Sequence, residues 1–165
     1  MNETLLSISH FIHLIATVTW IGGLLVIVFY IWPLSHKHLN DETHQQFILA
    51  FNKRYRPIAN LSLVMLLGTG MLQVGADEHY QGLLTFKNTW TIAMLFKHLA
   101  FGGMMILGAI IQFSVVPAIE RALLLASKDN GTALQAALQR ENQLLRGMLV
   151  LGIFVLVFTA IATAV

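Results

Sequence analysis

Residues 10–24 read HFIHLIATVTWIGGL, and the apolar character of the chain continues from there to Pro33. No Asp, Glu, Lys or Arg occurs between Phe11 and Trp32. A helix rises about 1.5 Å per residue, so this segment spans about 33 Å, which is enough to cross a hydrocarbon core about 30 Å thick. The segment therefore predicts a helix that crosses a membrane.

Two histidines stand at the start of this helix. His10 and His13 lie about one helical turn apart. An unpaired polar group in hydrocarbon costs several kcal/mol of free energy. We therefore expect the imidazoles to have partners, and the polar residues of the other apolar segments are the candidates.

The composition is that of a membrane protein of one domain. Of 165 residues, 56% are hydrophobic and 11% are charged, whereas about 25% are charged in a soluble domain. The mean hydropathy is +0.71. The absence of cysteine excludes disulfides and thiolate-ligated metal centres. A net charge of +2 is too small to predict a nucleic-acid partner.

The hydropathy predicts an all-α fold, an integral membrane four-helix up-and-down bundle that forms a single domain over residues 1–165. We expect Pro33 to end the first span, because proline cannot continue the hydrogen-bond ladder. Residues 41–52 are expected to form a short interfacial helix, and residues 132–146 an amphipathic helix that runs into the last span. No long internal repeat is visible. The four spans are predicted at about residues 5–32, 57–75, 89–119 and 147–165.

Lysine and arginine are distributed unevenly among the predicted loops. The first and third loops contain four each, and the second contains one, Lys87. The positive-inside rule then places loops one and three in the cytoplasm. We therefore expect a multi-pass protein of the bacterial inner membrane, with both termini in the periplasm and the lipid bilayer as its first partner.

Ionisable residues inside predicted spans are functional candidates. They are His10, His13, Lys97 and His98. His13 and His98 lie at similar depth, about 12–14 Å from the periplasmic ends of two parallel spans. Two imidazoles at equal depth on two helices suit axial ligation of a haem iron. The sequence therefore predicts haem b between His13 and His98, with iron as the bound metal.

Other residues near these histidines are predicted to line the cofactor site. Small residues allow a close approach of a backbone or a flat ring. Lys97 is the candidate catalytic residue, because a cation at this depth can pair with a propionate or carry protons. The further predicted cofactor-binding residues are His10, Trp20, Gly23, Gly70, Met94 and Phe101.

Several alternatives remain open at this point. Each membrane histidine can instead form an interhelical hydrogen bond, and His10 can replace His13 as the ligand. The methionines of the spans are apolar filler or thioether ligands for Cu(I). The polar connection after the first span contains three histidines that we expect to be solvated, His36, His38 and His44.

The first span, from His13 to Leu24, resembles the opening helix of the CopD (copper resistance protein D) family and of the HemJ-type protoporphyrinogen oxidases. Those families carry a histidine, several apolar residues, a tryptophan, a pair of small residues and a leucine there. The second span resembles theirs in RYRP at residues 54–57 followed by GTG at 68–70. The third resembles theirs in Trp90 followed by LFKHL at 95–99.

The resemblance implies a four-helix membrane bundle in which His13 and Lys97 are important. The HemJ-type group implies porphyrin oxidation and the CopD group implies copper transport or copper binding. The chain departs from the HemJ pattern in its fourth span, which lacks an Asn-Glu-Val-Pro stretch, and carries His98 directly after Lys97. We therefore predict a b-type haem protein that transfers electrons, as an oxidoreductase or a subunit of one. Expected partners are a quinone or a periplasmic redox carrier, within a larger complex or a homo-oligomer.

Overall fold

Four long helices form the protein in a computed structural model that describes residues 3–76, 89–125 and 131–164. All four are long and apolar enough to cross a membrane, and no strand occurs in these three ranges. The predicted fold class is therefore confirmed. The helices are α1 (Glu3–His38), α2 (Asp41–Ala76), α3 (Thr89–Leu125) and α4 (Thr132–Thr163).

The first helix does not end at Pro33, and that prediction was wrong. Regular α-helix covers Glu3–Val26, a π-helical segment covers Ile27–Ile31, and α-helix resumes over Trp32–His38. The backbone N–H of Trp32 donates to the carbonyl of Ile27, five residues earlier. A proline lacks an N–H and its ring crowds the carbonyl four residues before it. The wider π-helical segment next to the proline accommodates both defects, so the helix continues.

The third helix repeats this arrangement. A π-helical segment covers Ile111–Val115, and the backbone N–H of Val116 donates to the carbonyl of Ile111. Pro117 follows the segment at the same distance as Pro33 follows its own. Each of the two helical hairpins, α1–α2 and α3–α4, therefore begins with a helix of the same irregular design. This similarity between the two halves is not visible as a sequence repeat.

The second helix is longer than the predicted second span. It begins at Asp41, where the side chain of Asn40 accepts a hydrogen bond from the N–H of Thr43 (2.8 Å). It continues through Pro57 to Ala76, so residues 41–52 are its first turns and not a separate interfacial helix. In α4 the amphipathic segment runs into the last span without a break, as predicted. The predicted loop 76–88 and the turn 129–131 lie almost wholly outside the described residues.

The bundle has an apolar interior and a largely apolar exterior. Helix α1 packs mainly against α2, and α3 packs mainly against α4. The interior between them contains large side chains from all four helices, among them Trp20, Leu63, Met104 and Met148. Many large apolar side chains face outward, with Phe113 81% exposed. Because an exposed apolar surface of this extent is stable only in lipid, the bilayer is the immediate partner of the protein.

The two ends of the bundle differ in charge. The helices alternate in direction, so the start of α1 and the end of α4 share one end, which we call the terminal end. The opposite end contains the described loop-one and loop-three cations and is called the basic end. Those cations are Lys37, Lys53, Arg54, Arg56, Arg121, Arg140 and Arg146.

Candidate functional site

His13 lies half-buried in the terminal half of the bundle and bonds to α2. Its Nδ1 is 2.8 Å from the Thr69 hydroxyl oxygen, and that hydroxyl donates to the carbonyl of Met65 (2.6 Å). The single hydroxyl proton of Thr69 is therefore used on Met65. In the neutral imidazole Nδ1 must then be the donor to Thr69, which leaves the lone pair on Nε2. In the neutral ring Nε2 of His13 is therefore the nitrogen that can accept a proton or a hydrogen bond.

Three further residues lie around His13, and we call this group with His13 the terminal polar layer: His10, Thr69 and Lys97. Lys97 and His10 are within electrostatic range of the His13 imidazole. No hydrogen bond or ion pair of Lys97 is found within the described ranges. The ring of His13 also lies beside Gly70, where a Cβ would be 3.7 Å from Cε1 of the imidazole.

The structure does not bring His98 to His13. The His98 side chain is exposed on the outside of α3, and its Nδ1–H donates to the carbonyl of Met94 in its own helix (2.6 Å). His10 is exposed as well and donates to the carbonyl of Leu6 (2.9 Å). The two histidines predicted as axial ligands do not share an interior face, because their predicted depth carries no information on helix rotation. The haem ligand pair therefore has no support in the geometry.

The other predicted cofactor-binding residues mostly belong to the packed interior. Trp20 is 1% exposed, and Phe101 packs half-buried against the same apolar cluster. At Gly23 the place of a side chain is taken by the Tyr55 ring, which a Cβ would overlap. Met94 is buried one turn before Lys97, on the same side of α3. Of this predicted set, Gly70 lies beside His13, and Met94 lies on the same side of α3 as Lys97.

A second polar group, which we call the ion-pair cluster, lies in the basic half. The carboxylate of Glu141 on α4 is 3% exposed and accepts hydrogen bonds from Arg56 Nη2 (2.7 Å) and Nε (3.1 Å). Its other oxygen accepts from Asn52 Nδ2 (2.8 Å). The two bonds from Arg56 reach one carboxylate oxygen and the bond from Asn52 reaches the other, so both oxygens are satisfied and burial of this charge is tolerable. The cluster ties α2 to α4.

Tyr55 connects the ion-pair cluster to α1. Its hydroxyl donates to the carbonyl of Trp20 (2.9 Å), and its ring fills the space that Gly23 leaves. A cavity of about 50 Å³ lies here, with Asn60 and Gln112 among its polar lining residues. A space of this size holds a few atoms, not a large cofactor. The cavity therefore belongs to the interhelical polar network of the basic half.

Sequence reasoning missed the ion-pair cluster. In the sequence Arg56 is only one of the four cations of the first loop, and Glu141 is only one polar residue of the amphipathic segment 132–146. A signal was present: Glu141 lies on the apolar stripe of α4, which includes Leu134, Leu138 and Leu145. A charged residue on such a stripe is buried when the helix packs, so it requires a partner.

The described residues contain no group of three or more His, Cys, Asp or Glu side chains that could hold a metal ion. A metal site in this part of the chain would therefore combine at most two such side chains with other donors. Because the chain has no cysteine, thioether is its only sulfur donor.

Comparison with known families identifies the bundle. A family model described as CopD, copper resistance protein D, matches residues 49–163. The chain belongs to the CopD family. No curated protein and no solved structure matches the chain. The predicted CopD resemblance is thereby confirmed over residues 49–163, which include the second and third spans; the first span precedes the matched residues.

The CopD match covers all of one polar group and part of the other. The ion-pair cluster lies wholly inside the matched residues. In the terminal polar layer Thr69 and Lys97 lie inside them, whereas His10 and His13 precede them. CopD membership thus supports a copper-related membrane protein, and it assigns no role to the individual histidines.

Proposed function

We propose that this CopD-family protein handles copper in the membrane, and that its terminal polar layer binds Cu(I) through Nε2 of His13. Two things support this: membership of a copper resistance family, and the hydrogen-bond chain from His13 through Thr69 to Met65. A metal-binding histidine commonly donates its other ring N–H to an acceptor, which fixes the tautomer and orients the ring. Of these two observations, the hydrogen-bond chain is the one on which the proposal depends.

The donor atoms near His13 suit Cu(I) better than a hard cation. Imidazole and thioether are ligands that copper accepts, whereas magnesium and calcium prefer carboxylate and carbonyl oxygen. The buried thioether of Met94 lies on the side of α3 that carries Lys97, and Lys97 lies within electrostatic range of His13. We propose Met94 as the second donor of the site.

Lys97 lowers the affinity of the proposed site for copper. A positive charge near a bound cation lowers the affinity for that cation, and the effect is large where the dielectric is low. Weak binding suits a protein that passes an ion on, because an ion held too tightly is not released. We propose that Lys97 keeps the copper site weak enough for release.

The direction of movement follows from the charge at the two ends. The basic end faces the cytoplasm if the positive-inside rule holds, so the terminal polar layer faces the periplasm. Copper from the periplasm then meets His13 first. The ion-pair cluster lies further along the bundle toward the cytoplasm and would close the path there.

Several predictions depended on two facing histidines and remain predictions. They are haem b, electron transfer, oxidoreductase activity, and a quinone or periplasmic carrier as partner. HemJ-like porphyrin oxidation requires one haem ligand, which Nε2 of His13 could supply. Each of these alternatives predicts a coloured protein with iron. The same experiment therefore separates them from the copper proposal.

The test is Cu(I) binding to the protein in lipid nanodiscs, measured by anaerobic competition with a coloured Cu(I) chelator. We expect His13→Gln to abolish binding at the terminal polar layer and His98→Gln, the matched control on α3, to leave it unchanged. Oxidised and reduced absorption spectra and iron content are taken on the same sample. Equal affinity of His13→Gln and wild type would overturn the proposal, and reduced haem bands that vanish in His13→Gln would replace it with a haem protein.

Lys97→Leu provides a second test, by the sign of the change in Cu(I) affinity, because leucine removes the charge and adds no donor atom. If Lys97 opposes copper, removing its charge raises the Cu(I) affinity, by roughly tenfold for an interaction of about 1.4 kcal/mol. If Lys97 pairs with a haem propionate, the same variant loses the cofactor. An unchanged Cu(I) affinity would exclude the proposed role of Lys97 and leave that of His13 untouched.

A further inference from the structure

The basic end contains a pair of histidines, His36 and His44, that were both predicted to be solvated. His44 is 6% exposed, although it lies in the first turns of α2. Its imidazole centroid is 5.5 Å from that of His36, which extends from the last turn of α1. Because α1 continues past Pro33 to His38, His36 belongs to the helix and lies next to His44 of α2.

The tautomer of His44 is set in the same way as that of His13. Nδ1 of His44 is 2.9 Å from the Ser35 hydroxyl, and that hydroxyl donates to the carbonyl of Ile31 (2.6 Å). Nδ1 of the neutral ring must therefore be the donor, so Nε2 keeps its lone pair. Ser35 is itself 5% exposed, which keeps water from competing for these bonds.

The distance between the rings suits one shared ion. Metal–nitrogen bonds of about 2.0–2.1 Å place each ring centroid about 3.1 Å from the ion. Two such rings are then about 5 Å apart at a tetrahedral angle and about 6 Å apart when linear. The observed 5.5 Å falls between these limits. His36 is exposed, so its ring can turn its nitrogen toward His44 without disturbing the interior.

A small cavity lies at the pair. It has a volume of about 10 Å³, and both imidazoles line it together with amide side chains of Gln45, Gln135 and Gln139. A space of this size admits one water or one bare ion and excludes larger ligands. The lining residues carry no carboxylate, and the two imidazole nitrogens favour a first-row transition-metal ion over calcium or magnesium, which prefer oxygen ligands.

We propose that His36 and His44 form a second metal site, at the basic end, for a first-row transition-metal ion that prefers imidazole, with Cu(I) as its probe. This site goes beyond the proposed function, because it stands on its own residues at the opposite end of the bundle. If the proposed function holds, the protein receives copper at His13 and presents it at His36 and His44. If that function fails, the second site still binds metal.

The experiment counts bound Cu(I) per protein in nanodiscs under anaerobic competition. Wild-type protein is expected to bind two ions, His36→Gln one and His13→Gln one, and the double variant none. His38→Gln is the matched control, since His38 is exposed on the same last turn of α1 and does not line the cavity. His36 is exposed, so its variant tests the site without the risk of unfolding that attends the buried His44.

The two proposals fail in different ways. If only the His13 proposal is wrong, wild type binds one ion and His36→Gln binds none. If only the second site is wrong, wild type binds one ion, His36→Gln keeps it and His13→Gln loses it. Retention of the full number of ions by His36→Gln overturns the inference.

A position-specific signal comes from Trp32, whose ring centroid is 5.2 Å from that of His44. In the His13→Gln background, Cu(II) is expected to quench tryptophan fluorescence through the second site. The quenching should disappear in His36→Gln and in Trp32→Phe, and persist in His38→Gln. Quenching that survives Trp32→Phe would place the ion elsewhere and contradict the assignment.

Discussion

The ion-pair cluster and the terminal polar layer are both polar groups within an apolar bundle, and they differ in how far their polar atoms are satisfied. In the ion-pair cluster both oxygens of Glu141 accept hydrogen bonds, from Arg56 and from Asn52. In the terminal polar layer, His13 has one nitrogen bonded and one lone pair left over. Lys97, beside it, has no bonded partner among the described residues.

This difference predicts that the ion-pair cluster contributes to the stability of the bundle and the terminal polar layer to binding. A buried group whose hydrogen bonds are complete holds helices together and has no atom left for a ligand. A half-satisfied group costs free energy unless something else occupies it. We therefore expect substitutions in the ion-pair cluster to change the stability of the bundle, and substitutions in the terminal polar layer to change metal affinity with little loss of stability.

Glu141→Ala should have the largest effect on stability. It leaves the guanidinium of Arg56, 24% exposed, and the amide of Asn52 without their acceptor. Breaking a buried pair from one side typically costs about 3–5 kcal/mol. Thermal unfolding in detergent should show a large fall in midpoint, with Glu120→Gln, an exposed acid on α3, as the control. If Glu141→Ala instead unfolds like wild type but loses Cu(I), the ion-pair cluster is a binding site and the comparison is reversed.

Gly23→Ala should have the next largest effect. A Cβ at this position would overlap the Tyr55 ring, which must move and lose its hydrogen bond to the Trp20 carbonyl. Overpacking of this kind typically costs about 1–3 kcal/mol. The matched control is Gly22→Ala, because a Cβ at Gly22 meets nothing within 4 Å, and alanine there should stabilise the helix by about 0.5–1 kcal/mol. Equal unfolding midpoints for the two variants would mean that Tyr55 does not pack on Gly23.

The sequence was sufficient for the number, type and membrane character of the helices, because hydropathy and length decide these. It was insufficient for helix ends and helix rotation. Pro33 predicts a helix end locally, but a π-helical segment absorbs it. The residue count predicts a depth for His98, but it cannot predict the face that the side chain occupies, because that face depends on how α3 packs. Glu141 was overlooked for the same reason, since its partner Arg56 is distant in sequence.

Thr69→Val should have a smaller effect on stability and a larger one on binding. It removes the acceptor of His13 Nδ1–H while keeping the shape of the side chain. The lost hydrogen bond costs about 1 kcal/mol of stability. Loss of an outer-shell partner of a metal-binding histidine typically weakens metal binding about 10–100-fold. Cu(I) competition on Thr69→Val measures this, with Thr159→Val on α4 as a control because that hydroxyl bonds only within its own helix. An unchanged affinity would show that the hydrogen-bond chain does not prepare His13.

His98→Ala should have the smallest effect of all, on stability and on metal content alike. Its side chain is exposed, and its hydrogen bond is to a carbonyl of its own helix, so its removal is expected to change the free energy of unfolding by no more than about 0.5 kcal/mol. Unfolding midpoint and bound copper and iron should all match wild type. A loss of bound metal equal to that in His13→Ala would mean that α3 rotates in the membrane to bring His98 inward. His13 and His98 would then act as the ligand pair predicted from their equal depth. The contrast between the bonded interior His13 and the exposed His98 would no longer hold.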